Sequence, residues 1–340
     1  MIFGGYPETT RQYGRCNFEN CLLKAANRLT VDIFSALFLV EQLRKDGKLP
    51  ALGGLLAEPK DTFGRLADRR VIPSLAFGLY NVPLGREGVV IISKAIEAGY
   101  RHFDAASIYK NEVELGEAIR RSGIPREEFF ITSKVWNDAQ KEGPDSVRQS
   151  IERSLRNLKC GYMDIMYVHW PVPGHFVESY KVIQEYHVRG LVRNIGISNF
   201  GYLDYEELMN SDGIHVTPAV NQIEISPFMY RPTTIEYFQR RGITMVSSKS
   251  LYRAVGMEHE VIQRISKEHS VTSAQVLLRW GIQKGFVVIC KTSNPDRMVE
   301  NRNVMSFSLT EHDVMQLDSL TSKELVAARE ELEIQRREGI

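Results

Sequence analysis

From about residue 75 onward, short apolar runs alternate with amphipathic stretches, and eight such runs can be marked. Leu75–Tyr80, His102–Asp104, Phe129–Lys134, Met163–His169, Val192–Ile197, Ala219–Ile223, Thr244–Ser247 and Val287–Ile289 have strand length and are bounded by polar or turn residues. Between them, apolar residues return at helical spacing in Asn111–Arg121, Val147–Leu158, Ser179–Arg189, Thr233–Arg240 and Ser273–Gln283. In Asn111–Arg121 the stripe is Val113, Leu115, Ala118 and Ile119, with acids in the first turn and basic residues at the end. Strands that read as continuous apolar runs belong in a parallel sheet covered on both faces. A closed barrel and an open doubly wound sheet share that local signature. No G-x-G-x-x-G follows an early strand, which removes the main support for the open dinucleotide-binding sheet. The expected fold is therefore α/β, a (β/α)8 TIM barrel.

Residues 62–322 are assigned to the barrel, with Val71–Tyr80 leading into it and a short hairpin around Asp68 and Arg69 placed to close its bottom. Residues 1–61 form an N-terminal extension, partly helical or disordered, whose one amphipathic stretch runs from Val31 to Lys45 and stops at Asp46, Gly47 and Pro50. Residues 323–340 read as a charged C-terminal helix. Hydrophobic residues make up 43% and charged residues 25% of the 340, so a sizeable core is expected rather than general disorder. The formal charge of +1 gives no electrostatic footprint for nucleic acid or an anionic membrane. The longest apolar run near the start, Ile33 to Val40, falls well short of the ~20 residues a membrane span needs. Cys16, Cys21, Cys160 and Cys290 lack the paired spacing of a zinc site or disulfide framework. A reducing, cytoplasmic setting and a monomer are expected, with organellar targeting by the extension left open.

Chemistry-bearing residues fall at the ends of successive strands. Asp104 ends one strand and Tyr109 lies on the loop that follows; Lys134 and His169 end the next two. In a parallel barrel those ends converge on one mouth. The stretch Gly99–Glu112 has the pattern G-x-R-x-x-D-x-A-x-x-Y-x-N-E and resembles the aldo-keto reductase family of the short-loop type, with the resemblance extending over about Phe63 to Leu320. It implies that Asp104, Tyr109, Lys134 and His169 form the catalytic tetrad of an NADPH-dependent reductase acting on aldehydes or ketones, the alcohol dehydrogenase (NADP+) type. A phenol of ordinary pKa near 10 is a weak acid at neutral pH. Lys134 is expected to lower that pKa, Asp104 to keep the lysine charged, and His169 to orient the carbonyl oxygen. One His102-x-Asp104 pair is weak evidence for metal ligation, so metal-assisted hydrolysis on the same fold is disfavoured.

The resemblance further implies that Ser198, Asn199 and Gln222 hold the nicotinamide carboxamide of NADPH/NADP+. Lys291, Thr292 and Arg297 would clamp the adenosine 2′-phosphate, and Glu300 and Asn301 would sit at the adenine. A lysine point charge beside an arginine fork suits a terminal phosphate. Ser248, Lys249 and Leu251 occupy the stretch where the family commonly has an aromatic residue followed by Ser-Pro-Leu. Ser248 therefore offers no ring to stack on nicotinamide, and Lys249 is expected to approach the pyrophosphate instead. Cys290 stands where the family usually has proline. Tyr80, Trp136 and Trp170 would wall the substrate pocket with aromatic surface, and the short loops around Pro171–Phe176 and Tyr252–Met257 point to an open, permissive mouth. A second reading, an NADP(H)-binding regulatory subunit of the same fold with slow turnover, rests on Ser248, the extension and the charged C-terminal helix.

Overall fold

The computed structural model describes residues 62–65 and 71–338. The expected extension and the turn residues Asp68 and Arg69 lie outside them. Strands β1 (Thr62–Arg65) and β2 (Val71–Pro73) pair antiparallel as a hairpin. Eight parallel strands then close into a barrel: β3 (Leu75–Gly78), β4 (His102–Asp104), β5 (Phe130–Val135), β6 (Met163–Val168), β7 (Val192–Ser198), β8 (Val220–Glu224), β9 (Thr244–Ser248) and β10 (Val287–Cys290), with β10 returning to β3. Each lies within a residue or two of an apolar run marked in the sequence. One apolar run is divided: Val71–Pro73 belongs to the hairpin, and the first barrel strand begins at Leu75 after Ser74.

Alternation along each strand sorts the side chains. Ile72, Phe130, Ile165, Tyr167, Val220, Val246 and Val287 fill the barrel interior, so the hairpin residue Ile72 seals its lower end. His102 Nδ1 lies 3.1 Å from the Pro73 carbonyl, tying the hairpin to β4. The opposite faces, including Phe77, Phe103, Ile131, Met166 and Ile195, pack under the surrounding helices in a second cluster. Twelve α-helices are present among the described residues, and none is long and apolar enough to cross a membrane.

On β5 the two-residue period sends Phe130, Thr132 and Lys134 inward, while Ile131, Ser133 and Val135 face the helices. Lys134 is thus carried into the barrel at the strand's C-terminal end by the same alternation that builds the core. Beneath it the ring of Tyr167 fills the interior; a Cβ at Gly196 would meet that ring at 2.5 Å, so β7 needs glycine there. The helix Lys323–Glu338 runs past the same end of the barrel. It is anchored by Arg336 and Arg337 on Asp204 (2.6 and 2.8 Å) and by Glu333 on Arg231 (2.9 Å).

Candidate active site

Asp104, at the end of β4, is the hub of a buried network. Its Oδ2 accepts from Lys134 Nζ at 2.6 Å, while Oδ1 accepts from Thr132 Oγ1 at 2.8 Å and from Gln222 Nε2 at 2.9 Å. Lys134 also donates to the Ala105 carbonyl at 2.7 Å and is fully buried. Burial favours the neutral carboxyl, but the charge and hydrogen bond of Lys134, with Gln222 and Thr132, more than offset it and hold Asp104 below the usual carboxylate range. Burial also lowers Lys134 from the ordinary lysine value, and Asp104 restores only part of the drop.

The Lys134 ammonium lies 5.4 Å from the centre of the Tyr109 ring. That ring packs edge-on against Tyr80 and His169, with centroids 5.4 and 6.1 Å away. The expected lowering of the Tyr109 pKa is not what this geometry produces. Burial, then the Asp104 carboxylate and Tyr80, push the phenol well above its ordinary value, because Lys134 is already committed to Asp104 and the Ala105 carbonyl. His169 packs against Trp136 at 4.9 Å and is held down to about 3 by burial and then by Lys134. Its imidazole is therefore neutral around pH 7, and its buried Nδ1 has no hydrogen-bond partner among the described residues.

One continuous cavity of about 1620 Å³ runs across the C-terminal ends of the strands. It is lined by Tyr80, Asp104, Tyr109, Trp136, His169 and Trp170 in one region. Ser198, Asn199, Gln222, Ser248, Lys249 and Leu251 line it further along, followed by Lys291, Thr292, Arg297, Glu300 and Asn301. Every catalytic, cofactor and substrate-pocket residue expected from the sequence except Lys134 lines this wall; Lys134 sits behind it on Asp104.

Several local devices shape the wall. Asn199 takes a left-handed conformation (φ 61°), which asparagine tolerates, and from it donates to the His169 carbonyl at 3.0 Å. Ser198 Oγ donates to the Gln222 carbonyl at 2.9 Å. Gln222 lines the cavity and donates its amide nitrogen to Asp104. Lys249 lines the cavity with its ammonium paired to Glu224, itself a lining residue. Asn294 accepts from the backbone nitrogens of Asp296 and Arg297, capping the helix Pro295–Arg302 that presents Arg297, Glu300 and Asn301. Asn301 is buried, and its Oδ1 is unpartnered among the described residues.

Supporting residues escaped the sequence reading. Asn111 donates to the Leu79 and Val82 carbonyls at 2.8 and 3.1 Å, fixing the turn that carries Tyr80. Ser133 donates to buried Glu112 at 2.6 Å on the outer face of β5, locking the register of the strand that carries Lys134. Asn111 and Glu112 both lie inside Gly99–Glu112, so the signal was present. Arg329, on the C-terminal helix, also lines the cavity. No local pattern in the sequence announces it.

An eight-stranded parallel barrel with a long cavity at its strand ends, floored by a buried Asp–Lys pair beside a tyrosine and a histidine, defines a class of barrel oxidoreductases. The chain belongs to the aldo/keto reductase family, whose model matches residues 75–257 and 252–322. It is 34% identical over 267 residues to glyoxal reductase of Bacillus subtilis, covering 78% of this chain and 95% of that one. It is 38% identical over 252 residues to 9,11-endoperoxide prostaglandin H2 reductase of Trypanosoma cruzi, covering 73% and 88%. The crystal structure of an aldo/keto reductase from Brucella melitensis superposes with a TM-score of 0.71 at 34% identity, over 76% of this chain and 98% of that chain.

Proposed function

We propose that this protein reduces small aldehydes or ketones to alcohols, using NADPH as the reductant. The observation that carries the reading is the single cavity joining Tyr109 and His169 to Lys291 and Arg297. Two further observations fit a bound NADPH. Lys291 and Arg297 form no ion pair among the described residues, and the buried Asn301 Oδ1 has no partner where an adenine amino group would supply one.

When bound, NADPH supplies the hydride. Ser198, Asn199 and Gln222 would hold its carboxamide; Lys291, Thr292 and Arg297 would hold the 2′-phosphate, with Glu300 and Asn301 at the adenine. Tyr109 donates the proton to the carbonyl oxygen. Its raised pKa keeps the phenol protonated around neutral pH, and the alkoxide developing on the substrate is basic enough to take that proton. Neutral His169 donates a hydrogen bond to the same oxygen and fixes the carbonyl's orientation. Lys134 limits the repulsion between Asp104 and any negative charge growing on Tyr109. Tyr80, Trp136 and Trp170 form the apolar walls that exclude water.

The test is aldehyde-dependent oxidation of NADPH by the purified protein, followed by absorbance across a panel that includes methylglyoxal, benzaldehyde and aliphatic aldehydes. Turnover of several members is expected. Tight NADPH binding without turnover of any of them would overturn the reading.

A further inference from the structure

We propose that Tyr167, which lies outside the cavity wall, is a positioning residue: its hydroxyl holds the Gln222 amide from inside the barrel, so that one buried circuit sets both the Asp104–Lys134 pair and the carboxamide end of NADPH. The inference rests on the reductase reading above and adds to it a residue that never meets substrate or cofactor.

The sheet register places the residue. Tyr167 on β6 lies beside Lys134 of β5 on one side and Gly196 of β7 on the other. It points into the barrel, where it is buried with Phe130, Ile165, Val220 and Val246. A Cβ at Gly196 would lie 2.5 and 2.6 Å from Cδ1 and Cε1 of the ring. Glycine thus clears the inner face of β7, and the ring lies across it toward β8, where the Gln222 amide hydrogen-bonds its hydroxyl. Any larger residue at position 196 would close that passage.

Side chains from β4, β5, β6 and β8 then close on one another. Lys134 Nζ donates to Asp104 Oδ2 at 2.6 Å and lies 5.6 Å from the centre of the Tyr167 ring, within the reach of a cation for an aromatic face. The same ammonium is 5.4 Å from the Tyr109 ring. Gln222 Nε2 donates to Asp104 Oδ1 at 2.9 Å, and its second amide hydrogen is the one the Tyr167 hydroxyl can accept. Asp104 and Gln222 line the cavity, whereas Lys134 and Tyr167 support them from within the barrel. Burial first, and then the Asp104 charge, push the Tyr167 phenol well above its ordinary value, so it stays protonated around neutral pH and acts as a fixed dipole. Without the hydroxyl, a buried amide hydrogen of Gln222 would lack its partner, and the side chain would turn to find another, losing its alignment to the carboxamide.

The experiment titrates two ligands by protein fluorescence, NADPH and 2′-phosphoadenosine 5′-diphosphoribose, which lacks the nicotinamide and its carboxamide. The proteins are the wild type, Tyr167→Phe, Gln222→Leu and the double variant. Phenylalanine keeps the ring packed against Gly196, so only the hydroxyl is lost. Tyr167→Phe should weaken NADPH about three- to tenfold, the range of one hydrogen bond, and leave the fragment unchanged. Gln222→Leu should show the same selectivity, and adding Tyr167→Phe to it should weaken NADPH no further. A purely structural role would weaken both ligands together. Equal losses for the two ligands, no loss for NADPH, or an undiminished loss in the Gln222→Leu background would overturn the role of Tyr167 while leaving the reductase reading intact. Failure of the wild type to bind NADPH would overturn both.

Discussion

Replacing Asp104 with asparagine tests the network beneath the cavity, because one atom changes and the contacts are known. The amide oxygen can still accept from Thr132 and Gln222, which lie 2.8 and 2.9 Å from Oδ1. The amide nitrogen then takes the place of the oxygen 2.6 Å from Lys134 Nζ, so donor faces donor. Lys134, fully buried, keeps only the Ala105 carbonyl at 2.7 Å. Removing one partner of a buried ion pair typically costs about 3–5 kcal/mol, out of a total stability of about 5–15 kcal/mol. Lys134 can escape part of that cost by losing its proton, since burial already holds it below the ordinary value even with Asp104 present. The sign follows. In the variant the folded state binds fewer protons than the unfolded state at any pH between the lowered Lys134 pKa and the ordinary lysine value. Stability therefore rises with pH across that window, by at most about 1.4 kcal/mol per unit. Between pH 7 and pH 9 Asp104→Asn should recover up to about 2.7 kcal/mol, more than the wild type gains. Urea unfolding of both proteins at the two pH values, followed by circular dichroism, measures this directly. A loss below about 1 kcal/mol at pH 7, or parallel pH dependences, would refute the reasoning from the buried pair.

Two predictions concern the cofactor end. Arg297→Ala should weaken NADPH by about 1–3 kcal/mol and leave NADH nearly untouched, as measured by fluorescence titration; equal losses for both would show that the residue does not meet the 2′-phosphate. Ser248 lines the trough beside Lys249, which is tied to Glu224, so space next to the nicotinamide should accept a ring. Ser248→Tyr should tighten NADPH by about 0.5–1.5 kcal/mol, the scale of an aromatic stack; unchanged or weaker binding would mean that position 248 does not face the nicotinamide.

The barrel was legible because its strands are buried on both faces and so read as apolar runs whatever their neighbours. Inward placement of Asp104, Thr132 and Lys134 then follows from a period of two. The division at Ser74 was not legible: Val71–Pro73 and Leu75–Gly78 form one apolar stretch, and only pairing with Thr62–Arg65 separates them. Residue identity suggested that Asp104 would pair with Lys134 and that Lys134 would in turn lower the Tyr109 pKa, yet the sequence cannot say which of the two the ammonium serves more closely. Distances of 2.6 and 2.7 Å to Asp104 and the Ala105 carbonyl decide that in favour of the carboxylate. The C-terminal helix reads as a solvated charged helix because its anchors, Asp204 and Arg231, lie more than 100 positions away. Lys323, Glu324, Glu330 and Glu331 are the exposed face, while Glu333, Arg336 and Arg337 are docking points and Arg329 lines the cavity.

Tyr109→Phe tests the central claim most directly, since it removes one hydroxyl and leaves the ring packed between Tyr80 and His169. With an aldehyde that the wild type turns over, the variant should lose about 100- to 10,000-fold in the rate of NADPH oxidation, the range of general acid catalysis, while NADPH binding by fluorescence stays nearly unchanged. Turnover within a few-fold of the wild type would contradict the account, because the proton would then have to come from a group other than Tyr109.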